Sequence, residues 1–243
     1  MSFNTTLQRN ANRSDAMMGA YPDGYAPGLS ADLEYTLPIP VDAIWVESGY
    51  VGTESGTEAQ PYSTLRTALN NTTNGVGAHI VVKDANIAVT AANRTDWMIN
   101  DRTGDGFSAI NSGASWATSN TARDNMIVIR AETPYGVRMS YTGAGGYYRG
   151  FVQLENAEYV SVDGFIFEFD ETSGSALLNA VNAYNNNYIS RCIVKRVADG
   201  NDGSWYVCGD NSLIEMCAGV GATRYGFRSG DSTAATSNHC LRS

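Results

Sequence analysis

Three stretches decide the fold: YVSVDGFIFEF (residues 159–169), NNNYISRCIVKRV (185–197) and SLIEMCAGV (212–220). Each sets a polar turn before apolar runs too short for a helix and rich in Val, Ile, Phe and Tyr, which is strand chemistry. Val162, Ile189 and Ile214 occupy one position in the three stretches. Phe165, Cys192 and Cys217 occupy the position three residues later, and Cys240 in NHCLRS (238–243) extends the series, with gaps of 27, 25 and 23 residues. A period of this size marks a repeat architecture. Read outward, the units are 150–169, 176–197, 204–220 and 225–243, each an apolar strand, an Asn- or Asp-bearing turn and a second apolar strand. Phe151, Leu178 and Tyr206 align in the first strands.

One circuit of a parallel β-solenoid per unit accounts for this spacing. Strands of successive circuits then stack about 4.8 Å apart. Like side chains pile up inside the coil. Stacked cysteines have Cβ atoms at that spacing, whereas a disulfide draws them to about 3.8 Å. Cys192, Cys217 and Cys240 therefore read as an internal file of thiols acting as small apolar residues. Zinc is disfavoured, since no Cys-x-x-Cys spacing exists and His239 points to the face opposite Cys240. A Cys208–Cys217 bridge stays open.

Composition agrees with an all-β chain. The 243 residues include 25 glycines and only 17% charged residues. The net charge is −9, with two lysines, Lys83 and Lys195. Binding duplex nucleic acid needs a basic surface, so nucleic acid is excluded as an expected partner. No apolar run reaches the length of a membrane span, and the N-terminus has no apolar signal core. The expectation is a virion or extracellular location reached without a classical signal peptide, with no membrane insertion.

Residues 1–40 are polar, hold four of the six prolines and show no period. They read as an extended arm, either a disordered terminus or a segment that docks to a particle. Residues 41–243 form the domain. AIWVES (43–48), AHIVVKD (78–84) and DNMIVIRAE (124–132) read as strands. PYSTLRTALNN (61–71) reads as a short capping helix, with Ser63 or Thr64 as N-cap and Leu65, Ala68 and Leu69 on one face. Residues 91–123 form a long polar segment, and such segments are often functional. The last coil strand is followed by no cap, so another subunit or further chain is expected to cover its edge.

The stretch IWVESGYVGTESGTEAQPYSTLRTALNNTTNGVGAHIVVKD (44–84) resembles the opening of right-handed parallel β-helix proteins of the pectate-lyase-like superfamily. There a strand and a glycine-rich loop precede a short capping helix. YVSVDGFIFEF and NNNYISRCIVKRV resemble that family's coil pattern, and the likeness covers residues 43–243. It implies a right-handed β-helix and leaves activity open, because the superfamily holds lyases, hydrolases, epimerases and non-catalytic phage spikes.

The resemblance implies that a lyase would use a Lys or Arg base, often beside calcium, and Lys195 is the one coil lysine. A hydrolase would use paired carboxylates. Glu168 and Asp170 share a strand face, with Asp163, Glu171, Asp199, Asp202 and Asp210 as further candidates. Solvated outer-face acids explain the same residues. For calcium, the loops at 100–106 (Asp101, Thr103, Asp105) and 198–204 (Asp199, Asn201, Asp202) are candidates, each equally an Asx/Gly turn. Trp97, Trp116, Tyr147 and Tyr148 can stack on sugar rings while Arg149 bonds hydroxyls, with packing as the alternative.

Three functions follow as expectations. The first is a virion-associated spike, fibre or decoration protein with a glycan-binding face, a homo-oligomer with a trimer as the expected state, partnered by cell-surface or extracellular polysaccharide and other virion subunits. The second is a polysaccharide lyase or glycoside hydrolase. The third is a purely structural solenoid.

Overall fold

Alternating apolar residues build three parallel sheets in the computed structural model. It describes residues 38–72, 77–90, 92–100, 126–141, 150–154, 157–169, 179–183, 186–196, 204–208, 212–220, 225–229 and 239–240. The first sheet holds, in spatial order, Ile44–Val46 (β1), Ala78–Val82 (β2), Ile127–Ala131 (β5), Val160–Asp163 (β8), Tyr188–Ser190 (β11), Leu213–Glu215 (β14) and His239–Cys240 (β17). The second holds Ala85–Val89 (β3), Val137–Tyr141 (β6), Phe165–Phe169 (β9), Ile193–Arg196 (β12) and Ala218–Val220 (β15). The third holds Ile99–Asn100 (β4), Val152–Leu154 (β7), Asn179–Ala183 (β10), Ser204–Cys208 (β13) and Tyr225–Ser229 (β16).

From β2 onward the chain visits the three sheets in rotation, and each strand pairs in parallel with the one three further along. The column Ile80–Ile129–Val162–Ile189–Ile214 is continuous across the first sheet, and its Val162, Ile189 and Ile214 are the three that the repeat aligns in sequence. These side chains are at most 1% exposed and join the core. The core is filled from the second sheet by Met139, Phe165, Phe167 and Phe169, and from the third by Val152, Val181 and Tyr206. The rings of Phe165 and Phe167 stack with centroids 5.6 Å apart.

Each circuit contains three strands, not the two expected. The expected second strand breaks at a corner where the backbone turns left-handed: Gly164 (φ 83°), Arg191 (φ 46°) and Met216 (φ 53°). These three follow register partners Asp163, Ser190 and Glu215, so the corner recurs at one place. Only Gly adopts such a φ at no steric cost. Two alignments are also corrected. Tyr206 pairs with Val181, and Val181 with Val152, rather than falling in line with Phe151 and Leu178. Cys240 pairs with Ile214, so it leaves the file of Cys192 and Cys217.

The first circuit is closed from the N-terminal side. Helix α1 (Leu65–Asn70) is capped by Thr64, whose side chain accepts from the Thr67 amide at 3.1 Å. It buries Leu65, Ala68 and Leu69. Tyr62 bridges Val46 and covers the edge of β1 with backbone bonds to Trp45 and from Glu47. A second short helix, α2 (Arg94–Trp97), precedes β4. No described helix is long and apolar enough to cross a membrane.

Polar corners tie circuit to circuit. Asn187 is buried; its Oδ1 accepts from the Val160 amide at 2.9 Å and its Nδ2 donates to the Ala157 carbonyl at 2.8 Å. Its own amide donates to Ser212 Oγ at 3.0 Å. This is the Asn-bearing turn expected before the second strand. On the face of the first sheet opposite the core, Asp163 accepts from Ser190 Oγ at 2.7 Å and from Arg191 Nε at 2.8 Å, and pairs with Arg191 through Nη2 as well. All three are buried, as is Arg130, the register neighbour of Asp163.

Candidate functional site

The second sheet carries a mixed, partly open outer face. Val137, Met139 and Tyr141 of β6 point into the core, so alternation turns Arg138 and Ser140 outward. On β9, Phe165, Phe167 and Phe169 point in and Ile166 and Glu168 point out. The same rule turns Ile193 and Lys195 of β12 outward, while Val194 enters the core. Register then builds two columns: Asn86–Arg138–Ile166–Ile193–Ala218 and Ala88–Ser140–Glu168–Lys195–Val220.

Glu168 lies at the centre of this face. Arg138 grips its Oε2 through Nε and Nη2. Ser140 Oγ donates to the same oxygen at 3.2 Å, and Lys195 Nζ meets Oε1 at 3.3 Å. The Glu168 side chain is 11% exposed, whereas those of Arg138 and Lys195 are 42% and 41% exposed. Burial pushes the Glu168 carboxyl up, but the hydrogen bonds from Arg138 and then Lys195, with their charges, outweigh it and hold the group below the usual carboxylate range. It is therefore an ionised anchor at neutral pH, fit to accept hydrogen bonds and not to donate a proton.

The Arg138 and Lys195 side chains stay about two-fifths exposed while paired with Glu168. They sit on strands two steps apart, roughly 10 Å at the usual strand spacing. One carboxylate against two cations leaves the patch net positive on an acidic chain. Half-buried Ile166 and Ile193, with exposed Ala218 and Val220, supply an apolar strip beside it. Polar groups of fixed position beside apolar surface suit recognition of a sugar, whose faces are apolar and whose edges are hydroxylated.

Of the residues singled out in the sequence, Glu168 and Lys195 come together here. Trp97 does not join them: it is buried in the core at the end of α2, 5% exposed, so its ring packs against protein and presents no face to a sugar. Asp163 is buried in the ion pair with Arg191. Asp170, Trp116, Tyr147, Tyr148, Arg149, Asp199 and Asp202 lie outside the described residues, as do both candidate calcium loops beyond Asn100 and Ser204. Among the described residues no three His, Cys, Asp or Glu side chains cluster as metal ligands. Arg138 and Ser140 were missed in sequence, although the alternation in VRMSY (137–141) carries the signal that both share one face.

No family model matches the chain, and no curated protein or solved structure does either.

Proposed function

We propose that the three sheets wind as a right-handed parallel β-helix and that its Arg138–Glu168–Lys195 face recognises a glycan. The chain then serves as a spike, fibre or decoration protein of a virion or other extracellular particle. Support for the winding is the rotation of the chain through three parallel sheets with in-register columns. The observation that carries the recognition reading is the anchored carboxylate flanked by two cations, each about two-fifths exposed, on three successive strands. Such a patch offers donors from Arg138 and Lys195 and acceptors on Glu168 to sugar hydroxyls or to an acidic sugar's carboxylate. Glu168 ionised in a double ion pair favours recognition over acid catalysis, since a general acid must hold its proton at the working pH.

The test is a panel of immobilised neutral and uronate-containing polysaccharides, scored for both retention and product release. The proposal expects retention on a subset, weakened about tenfold or more by Arg138→Ala and by Lys195→Ala, with no released oligosaccharide. Release of product that Glu168→Gln abolishes favours a lyase or hydrolase instead. Absence of retention on every polysaccharide refutes the recognition reading and leaves a structural shaft.

A further inference from the structure

Cys192 and Cys217 sit at one corner of neighbouring circuits, just outside β12 and β15. The pairs Ile193↔Ala218 and Ser190↔Glu215 frame them, so the two cysteines face each other across one strand spacing. Both are free thiols, at 0% and 3% exposure. The sulfur of Cys217 leans toward its neighbour and lies 3.4 Å from the Cys192 amide nitrogen. The sulfur of Cys192 reaches the Ser190 carbonyl at 3.2 Å. Parallel strands hold paired Cα atoms about 4.8 Å apart, inside the roughly 4.4–6.8 Å window of disulfides. Only the Cβ separation must close, by about 1 Å. The corner can supply that, because neither cysteine is part of a strand and each follows a left-handed residue, Arg191 or Met216.

We propose that Cys192 and Cys217 form an oxidation-closed staple that locks two successive circuits together. In the step, the two S–H bonds break and one Sγ–Sγ bond forms. Two electrons and two protons pass to a small azo oxidant such as diamide, whose N=N bond is reduced to a hydrazine. A thiol reductant reverses it. The closed loop spans β12, β13 and β14, one strand from each sheet, so the bond fixes a whole circuit and not a local turn. An oxidising extracellular setting is where such a bond persists.

The full chain is treated with diamide at neutral pH below its melting temperature, alkylated, digested with trypsin and analysed by mass spectrometry. Cys192 falls in the peptide CIVK (192–195), and Cys217 shares the peptide 197–224 with Cys208. The proposal expects CIVK joined to 197–224, persistence of that link in Cys208→Ser and its loss in Cys217→Ser. Thermal melting of the oxidised protein rises by several degrees, reverses with dithiothreitol and is unchanged by diamide in Cys217→Ser. A link that vanishes in Cys208→Ser, a link from Cys192 to Cys240, or unlinked thiols after oxidation within ten degrees of melting overturns it. Because the readout is a peptide and a melting shift, glycan retention can fail while the staple stands.

Discussion

Replacing Asp163 by Ala removes the carboxylate from a charge pair buried to 4% and 2% side-chain exposure. The loss leaves the Arg191 guanidinium without its bidentate partner and Ser190 Oγ without its acceptor. Breaking a buried pair from one side costs about 3–5 kcal/mol, mostly through the uncompensated charge. That is a large part of a total stability of roughly 5–15 kcal/mol. For a chain of this size it lowers the melting temperature by roughly 6–20 °C. Urea unfolding followed by far-ultraviolet circular dichroism measures it as a drop in midpoint at constant slope. A companion variant sharpens the argument. Met216 occupies the corner equivalent to Arg191 with nearly the same positive φ, so methionine is tolerated in that backbone. Asp163→Ser with Arg191→Met removes both charges and loses less stability than Asp163→Ala alone. A loss below about 1 kcal/mol for Asp163→Ala, or a double variant as damaged as the sum of its singles, refutes the pairing.

Three other outcomes are expected. Burial, followed by the charge of Arg130, lowers the His79 pKa from 6.5 to about 4, so the folded state binds its proton later than the unfolded state. Stability therefore falls as pH drops from 6.5 toward 4, by about 2–3 kcal/mol, and His79→Gln flattens that part of the urea-midpoint profile. Glu168 is held below the usual carboxylate range, so its contribution is present above that range and lost as pH falls through the folded value; Glu168→Gln costs about 1 kcal/mol at pH 7 by urea unfolding and less at pH 3, because its partners are partly exposed. Asn187→Leu removes its side-chain bonds to the Val160 amide and the Ala157 carbonyl and lowers stability by about 2–3 kcal/mol, with earlier amide exchange at Val160.

Sequence revealed what depends on local chemistry. A cap at Ser63 or Thr64, which the structure places at Thr64, the buried face of Leu65, Ala68 and Leu69, and the column Val162–Ile189–Ile214 all follow from side-chain type and period. The break of each unit into two strands was hidden, because Arg191 and Met216 adopt left-handed backbone that their side chains do not advertise. Lys83 and Asp84 alone separate β2 from β3, too short an interruption to divide AHIVVKDANIAV (78–89) by composition. Cys240 was misplaced because the strand that holds it pairs by backbone with β14, where only two register pairs fix the alignment. At the site, Glu168 and Lys195 were legible as outward residues of their strands. Arg138 was not, since its role comes from a strand paired only through tertiary register. Trp97 shows the reverse: its type suits a sugar platform, and only packing at the end of α2 decides that it fills the core.

Strands of neighbouring circuits lie in parallel register. Methyl-labelled nuclear Overhauser spectroscopy measures this directly at Ile189, whose partners on either side are Val162 and Ile214. Cross-peaks from Ile189 to both, together with one from Val181 to Val152 across the third sheet, are the predicted result. Cross-peaks from Ile189 to neither, in a folded sample, contradict the stacking and with it the Arg138–Glu168–Lys195 face.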